Sequence, residues 1–484
     1  MKEKKSEAPR RGNEELFKWD GNPTFGQILP LAAQHVLAAV VGCVTPAILV
    51  ANAANNAGGN VNMGLLIQMS LVFAALSTFL QLYGNKIHLG SGLPVIIGVS
   101  FAYVPTMTAI AAQAQDVNTI FGAMIVGGIV AIIVGLTIKQ IRKVFPPLVI
   151  GTVIFAIGLS LYKTAINYMA GNSANTYEVI VEQRGQTAAL VYGSWQNWLV
   201  SLVTLAIVIG LNHYGKGLFK LASILIGLIC GYVLALCFGM VDFSALSNAG
   251  WFQLPQPFAF GVKFDISAII PLAILFLVNS IQAMGDFSAT TSGGMDRLPT
   301  DQELNGGIIG YGISNIVSAC FGCPPTATYS QNVGIVGSTK VVARKVFSLS
   351  AFILLIAGLI PKFSALLRTI PQCVLGGAVA SVFAGIAMTG IKLITTEPMD
   401  FRNTTVVGLA VAVGMGVTQA NAALATFPAW VTTIFGKSPV VLATIIAVLL
   451  NVILPKTRDE KKEEEKKKVE IEHKLEEDHK EFEE

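Results

Sequence analysis

Charge is scarce in this chain: Asp, Glu, Lys and Arg make up 13% of its 484 residues, against 53% hydrophobic residues and a mean hydropathy of +0.63. Soluble domains carry about a quarter charged residues, so a water-soluble core of ordinary kind is excluded. Histidine is scarce too. Of five, His88, His213, His473 and His479 fall in loops or the tail and are too scattered for a metal centre. The six cysteines, at 43, 230, 237, 320, 323 and 373, lie in or beside apolar blocks, which implies no disulfide framework. Cys320 and Cys323 have CxxC spacing but no second ligand pair, which leaves them as small packing residues. No phosphate-binding loop or nucleophile elbow interrupts the apolar blocks, so a membrane enzyme has no support. Neither a metal, a cofactor nor a nucleic-acid partner is expected.

What is present is apolar length. A helical span needs about 20 predominantly apolar residues. Fourteen blocks meet that rule, near 28–50, 62–83, 92–112, 118–138, 146–163, 196–213, 219–239, 267–290, 304–322, 325–338, 343–361, 372–391, 402–422 and 437–455. The reading is an all-α polytopic protein in a lipid bilayer. The first 25 residues are polar and charged, so the first span is expected to be its own insertion signal. Lys139, Arg142 and Lys143, then Lys216 and Lys220, then Lys340, Arg344 and Lys345 fall on the side of the basic N-terminus, which predicts that both termini are cytoplasmic. From Lys456 to Glu484 the chain holds 9 basic and 13 acidic residues, a solvated tail that leaves the membrane body basic.

Two blocks cannot be continuous helices. Pro94 and Pro105 interrupt the third, and Pro324-Pro325 open the tenth just before Tyr329-Ser330-Gln331-Asn332. Interrupted backbone at membrane depth is tolerated only where protein or a watery cavity satisfies it, and half-helices meeting there form substrate sites in many transporters. Corresponding breaks in the two halves suggest two repeats. With seven spans in each, the repeats are inverted. Gln34-His35 lies in the first span, and Asn279, Gln282 and Asp286, spaced by three and four, share one face of the eighth and are expected to line a common cavity. Asp286 either faces a transport pathway or caps backbone amides of a broken helix; the two roles can coexist.

Gln331-Asn332-Val333-Gly334 through Thr339-Lys340 resembles the signature of the nucleobase-ascorbate transporter family, Gln/Glu-Asn-x-Gly-x4-Thr-Arg/Lys/Gly, and Gln34-His35 resembles a second motif of it. The likeness runs from residue 25 to 455. It implies fourteen transmembrane segments in two inverted seven-span repeats, with short strands in spans 3 and 10. It also implies a core domain (26–138 and 267–361) that slides against a gate domain (139–240 and 362–455), the gate making a homodimer contact. Residues 1–25 and 456–484 are then cytoplasmic, and 241–266 is a loop on the opposite side of the plasma membrane.

The implied cargo is an oxidised purine such as xanthine or urate, whose edges alternate N–H donors and C=O acceptors. A carboxamide offers one of each, which suits Gln331 to bidentate pairing. Phe101 can cover a ring face, and backbone N–H groups beside Ala102 and Ser330 can donate to ring carbonyls. Gln282, Tyr329 and Ser330 complete the expected substrate site. Asp286, His35, Gln34, Asn332, Asn279 and Thr339 form the expected coupling or core network, with His35 hydrogen-bonded inside the core and Asn332 bracing the broken backbone. Ser100-Phe101-Ala102 resembles the urate-xanthine members, and the small Ala102 leaves room for the extra oxygen of urate. The chain departs from the family where Gln282 and Tyr311 replace customary acids. Asp286 is then the carboxylate left to carry a proton; a sodium site, or uncoupled facilitation of anionic urate, are the alternatives. Uracil or ascorbate as cargo, or a channel, also stay open.

Overall fold

The computed structural model describes residues 14–138, 145–171, 191–241, 243–247, 249–428, 431–432, 435–436 and 438–455. The basic loop residues Lys139, Arg142 and Lys143 and the charged tail lie outside them. The first half contains α1 (Phe25–Asn56), α2 (Met63–Tyr83), β1 (Ile97–Val99), α3 (Val104–Ala114), α4 (Asn118–Leu136), α5 (Pro147–Met169), α6 (Trp195–Tyr214) and α7 (Ser223–Cys237). The second contains α8 (Ile266–Gly294), α9 (Asp301–Cys320), β2 (Thr326–Thr328), α10 (Ser330–Thr339), α11 (Arg344–Leu359), α12 (Gln372–Ile394), α13 (Phe401–Gln419) and α14 (Pro439–Ile453).

Among the described residues eight helices are long and apolar enough to cross a membrane, and nine if α11 is joined to the helix after it; α7 and α14 are shorter apolar helices. Large apolar side chains such as Ile129, Ile133, Leu202, Leu409 and Leu449 point outward, as a lipid-facing surface requires. This is a multi-pass helical membrane protein. Its helix starts are chemically marked. Asn62 caps α2 by accepting from the Leu65 N–H at 3.1 Å, and Thr300 and Glu303 form a reciprocal capping box on α9.

Three details differ from the sequence reading. Pro105 does not break a span; it occupies the first turn of α3, where a missing N–H costs nothing. The eleventh apolar block does not run through 361: the chain bends by 80° and a separate short helix, Pro361–Arg368, packs back on α2 and α11. Pro361 at its start explains the stop, because proline disfavours helix in the residue before it. The helix near 219–239 is also split, with α7 beginning only at Ser223 after a short turn of helix at Leu218–Leu221.

The two interruptions meet. Strands β1 and β2 pair antiparallel in the register Ile97↔Thr328, Gly98↔Ala327 and Val99↔Thr326. The pairing extends outward through Ser100 N–H to Pro325 O and Tyr329 N–H to Ile96 O, both 3.0 Å. Each strand's second edge is closed by a helix. The Thr78 hydroxyl of α2 accepts the Ile97 N–H at 2.9 Å. The Asn315 carboxamide of α9 accepts the Thr326 N–H at 2.8 Å and donates to Thr326 O at 3.3 Å. Backbone polar groups far from water are thereby satisfied on both sides.

Candidate functional site

Where the strands end, α3 and α10 begin, and a cavity of about 380 Å³ opens against α5, α7 and α12. Its size is that of a small-molecule pocket. One wall carries Phe101, Ala102, Ser330, Gln331 and Gln282; the other is mostly apolar, with Ile154, Ile157, Val382 and Ile386. Its lining includes the exposed residues Asn212, Gly385 and Thr389, of which Asn212 and Thr389 lie in the last turns of α6 and α12.

Ser330 and Gln331 are the first two residues of α10, whose N–H groups have no acceptor within the helix. The next two amides, of Asn332 and Val333, are already bonded to Tyr329 O at 3.0 and 3.1 Å. The carboxamides of Gln331 and Gln282 both face the cavity, and among the described residues neither has a hydrogen-bond partner. Phe101 lies on the same wall, its ring held edge-on by Phe383 with centroids 5.4 Å apart. Such an arrangement offers an aromatic face, two free amide groups and a helix start to a flat polar solute.

Asp286 stands behind this surface with both carboxylate oxygens engaged. The Ser330 hydroxyl donates to one at 2.7 Å and the Thr328 hydroxyl to the other at 2.5 Å. Since Thr328 closes β2 and Ser330 opens α10, the carboxylate pins the bend between strand and helix. Asn332 donates from Nδ2 to His35 Nδ1 at 2.9 Å and to His35 O at 3.1 Å, and the His35 ring packs 4.6 Å from Phe347. This ties α10 to α1.

Three expected contacts fall differently. Tyr329 borders the cavity but turns its phenol inward, donating to Val99 O at 2.8 Å and resting on Cys43 Sγ at 3.5 Å. The Ala102 N–H is not available to a solute, because the Ser100 hydroxyl accepts it at 3.2 Å. Asn279 does not share the cavity with Gln282: it is 2% exposed and sits deeper on α8. Gln34 and Thr339, expected in the core network and not at the solute, lie off the cavity: Gln34 is buried in α1, and Thr339 closes the far end of α10 with its hydroxyl on Ile335 O at 2.8 Å. Thr78, Asn315 and Tyr103 contribute to the site's framework without any local signature that marks them in the sequence, and Tyr311, which stands out there only as a replaced acid, pairs with Tyr103.

The buried Tyr329 ring fits because two glycines face it. A Cβ at Gly98 would lie 2.5 Å from Tyr329 Cζ and 2.8 Å from Cys43 Sγ, closer than atoms pack. Gly98→Ala is therefore expected to destabilise the protein by about 1–3 kcal/mol, seen as a lowered melting temperature of purified protein. An unchanged melting temperature would mean that the strand crossing is looser than described.

A membrane-embedded helical protein whose cavity lies at the crossing of two interrupted segments has the architecture of the transporter class. The chain matches the Xan_ur_permease model, described as a permease family, over residues 26–423. It belongs to that family, the nucleobase-ascorbate transporters; it is a permease and not an enzyme. It is 30% identical to xanthine permease XanQ of Escherichia coli strain K12 over 463 residues, covering 93% of this chain and 96% of that one. It is 32% identical to uric acid permease PucJ of Bacillus subtilis strain 168 over 440 residues, covering 90% and 94%. Among solved structures, the transmembrane domain of the cyanobacterial bicarbonate transporter BicA is similar in fold, with a TM-score of 0.55 at 17% identity, 89% of this chain and 98% of that one being covered. SLC26A9 is similar with a TM-score of 0.58 at 12% identity over 92% of this chain and 68% of that one.

Proposed function

We propose that the chain carries an oxidised purine, urate or xanthine, inward across the plasma membrane. One observation carries this reading: two carboxamides without partners among the described residues, those of Gln331 and Gln282, line a cavity on the same wall as the Phe101 ring. Each carboxamide pairs with an N–H/C=O edge, and the ring covers the flat face. The free N–H groups of Ser330 and Gln331 suit a solute that carries partial or full negative charge, as urate does near neutral pH. Relatives named for xanthine and for uric acid agree with this cargo.

The transport cycle we infer is an elevator. Spans 1–4 and 8–11 form the core and spans 5–7 and 12–14 the gate, in two inverted repeats of seven. The brace of β1 by Thr78 on α2 and of β2 by Asn315 on α9 is what such a repeat would produce. With both termini cytoplasmic, the ends of α6 and α12 beside the exposed Asn212 and Thr389 lie on the cytoplasmic side, which supports an inward-facing cavity. The gate helices make the homodimer contact. Coupling rests on Asp286, either by taking up a proton or through sodium; facilitation of anionic urate without coupling is the remaining form of the cycle.

Uptake into proteoliposomes, with a panel of purines and pyrimidines and with imposed proton or sodium gradients, tests this directly. Saturable uptake of urate and xanthine, little displaced by excess uracil or ascorbate, is expected. Uptake that ignores both purines, or that neither saturates nor shows counterflow, would refute it.

A further inference from the structure

The two arms that carry the site, Phe101-Ala102 after β1 and Ser330-Gln331 after β2, share one support that neither arm contains. On α9, Tyr311 and Asn315 are four residues apart and so lie on one face. The Asn315 carboxamide pairs with the backbone of Thr326 as a third strand would, accepting from its N–H at 2.8 Å and donating to its C=O at 3.3 Å. Its Nδ2 also donates to Tyr311 O at 2.9 Å, which fixes the carboxamide's orientation. Tyr311 itself reaches the other arm, its phenol oxygen in a short hydrogen bond with that of Tyr103.

Tyr103 immediately follows Phe101 and Ala102 in the same tight turn, and both phenols are at most 1% exposed. Their rings pack on Phe276 of α8, with centroids 5.1 and 5.7 Å away. None of these groups lines the cavity. From this geometry we infer that α9 is the positioning element of the site: Tyr311, through Tyr103, fixes the arm bearing Phe101, and Asn315, through Thr326, fixes the arm bearing Gln331. The ring face and the amide edge that a solute meets are held in mutual register by one helix face. Tyr311 and Asn315 are thus positioning residues that set affinity without touching the solute.

The inference builds on the proposed purine site, and two readouts separate the fates of the two ideas. The first needs no substrate. Hydrogen exchange of the full-length purified protein is expected to speed up by at least about tenfold at residues 100–104 in Tyr311→Phe and in Tyr103→Phe, while the bonded amides of Thr326, Tyr329 and Asn332 stay protected. Asn315→Ala is expected to do the reverse. The phenylalanine variants keep ring volume and therefore fold, so the test stands even if Asn315→Ala does not. Exchange that is unchanged at 100–104, or that rises evenly along the chain, would overturn the inference whether or not purines are carried.

The second readout is uptake. Each single phenylalanine variant leaves a buried hydroxyl without its partner, whereas the double variant removes both. The apparent KM for urate or xanthine should rise about tenfold in each single variant with Vmax within about twofold, and the double should be no worse than either single. Strictly multiplicative effects would deny the coupling of the two phenols. If the parent protein carries no purine, the cargo assignment fails and the exchange result decides the positioning role alone.

Discussion

Gln331→Ala is expected to abolish purine uptake while the protein still folds and inserts. Gln331 has no partner among the described residues and lies exposed at the start of α10, so its truncation removes nothing that holds the fold together. A purine edge bound there would be left with one donor and one acceptor unpaired. At about 1–3 kcal/mol for each such group the loss in kcat/KM is about 30-fold or more. Gln331→Glu keeps the acceptor but replaces the donor with negative charge, so it should discriminate further against anionic urate than against neutral xanthine. Uptake kinetics with both purines, alongside membrane yield and size-exclusion profile, check the pair. Retention of wild-type KM in Gln331→Ala would remove the residue from the site.

The second large effect is expected at Asp286. Its two oxygens accept from Thr328 and Ser330, the last residue of the strand and the first of the helix. Asparagine offers one oxygen in place of two and turns an N–H₂ toward the remaining hydroxyl. Loss of one buried hydrogen bond to a charged acceptor costs about 1.5–3 kcal/mol, a fall of roughly 10- to 100-fold in uptake if the bend between β2 and α10 loosens. The variant also separates the coupling schemes. If Asp286 takes up the proton that drives transport, then one of its hydroxyl bonds must reverse, the new carboxyl O–H donating to the Ser330 or Thr328 oxygen, and Asp286→Asn leaves residual uptake indifferent to a proton gradient. Strict proton dependence surviving in Asp286→Asn would eliminate that scheme. Dependence on sodium in the parent that is lost in the variant would favour the sodium alternative.

The breaks at Pro94 and Pro324-Pro325 were legible because proline acts on backbone chemistry that every helix must satisfy, whatever surrounds it. The exposure of Gln331 beside such a break followed for the same reason. Asn279 was misplaced because helical spacing reports the face of a helix and not its height: three residues below Gln282 is about 4.5 Å deeper, enough to leave the cavity. Tyr329 could not be oriented from sequence either. Its inward turn depends on the space left by Gly42 and Gly98, residues some 230 to 290 positions away in the chain. Thr78 and Asn315 were illegible for a related reason. A single Thr or Asn in a helix is unremarkable until a strand edge from elsewhere in the chain comes to rest against it. Conversely, the short helix at Pro361–Arg368 had a local cue in Pro361, but the apolar block before it runs smoothly into that proline and conceals the bend.

A second crevice, of about 230 Å³, lies between α3, the start of α8 and Ser438, with Lys263 and Asp265 at its rim. It offers a bound solute an alternative place, and it contains neither Gln331 nor Phe101. The decisive measurement is therefore an experimental structure of the purified protein with urate or xanthine bound. The ring is predicted to stack on Phe101 with its edge on the carboxamides of Gln331 and Gln282. A purine found in the crevice beside Lys263, or bound in the cavity with both glutamines turned away from it, would contradict the account.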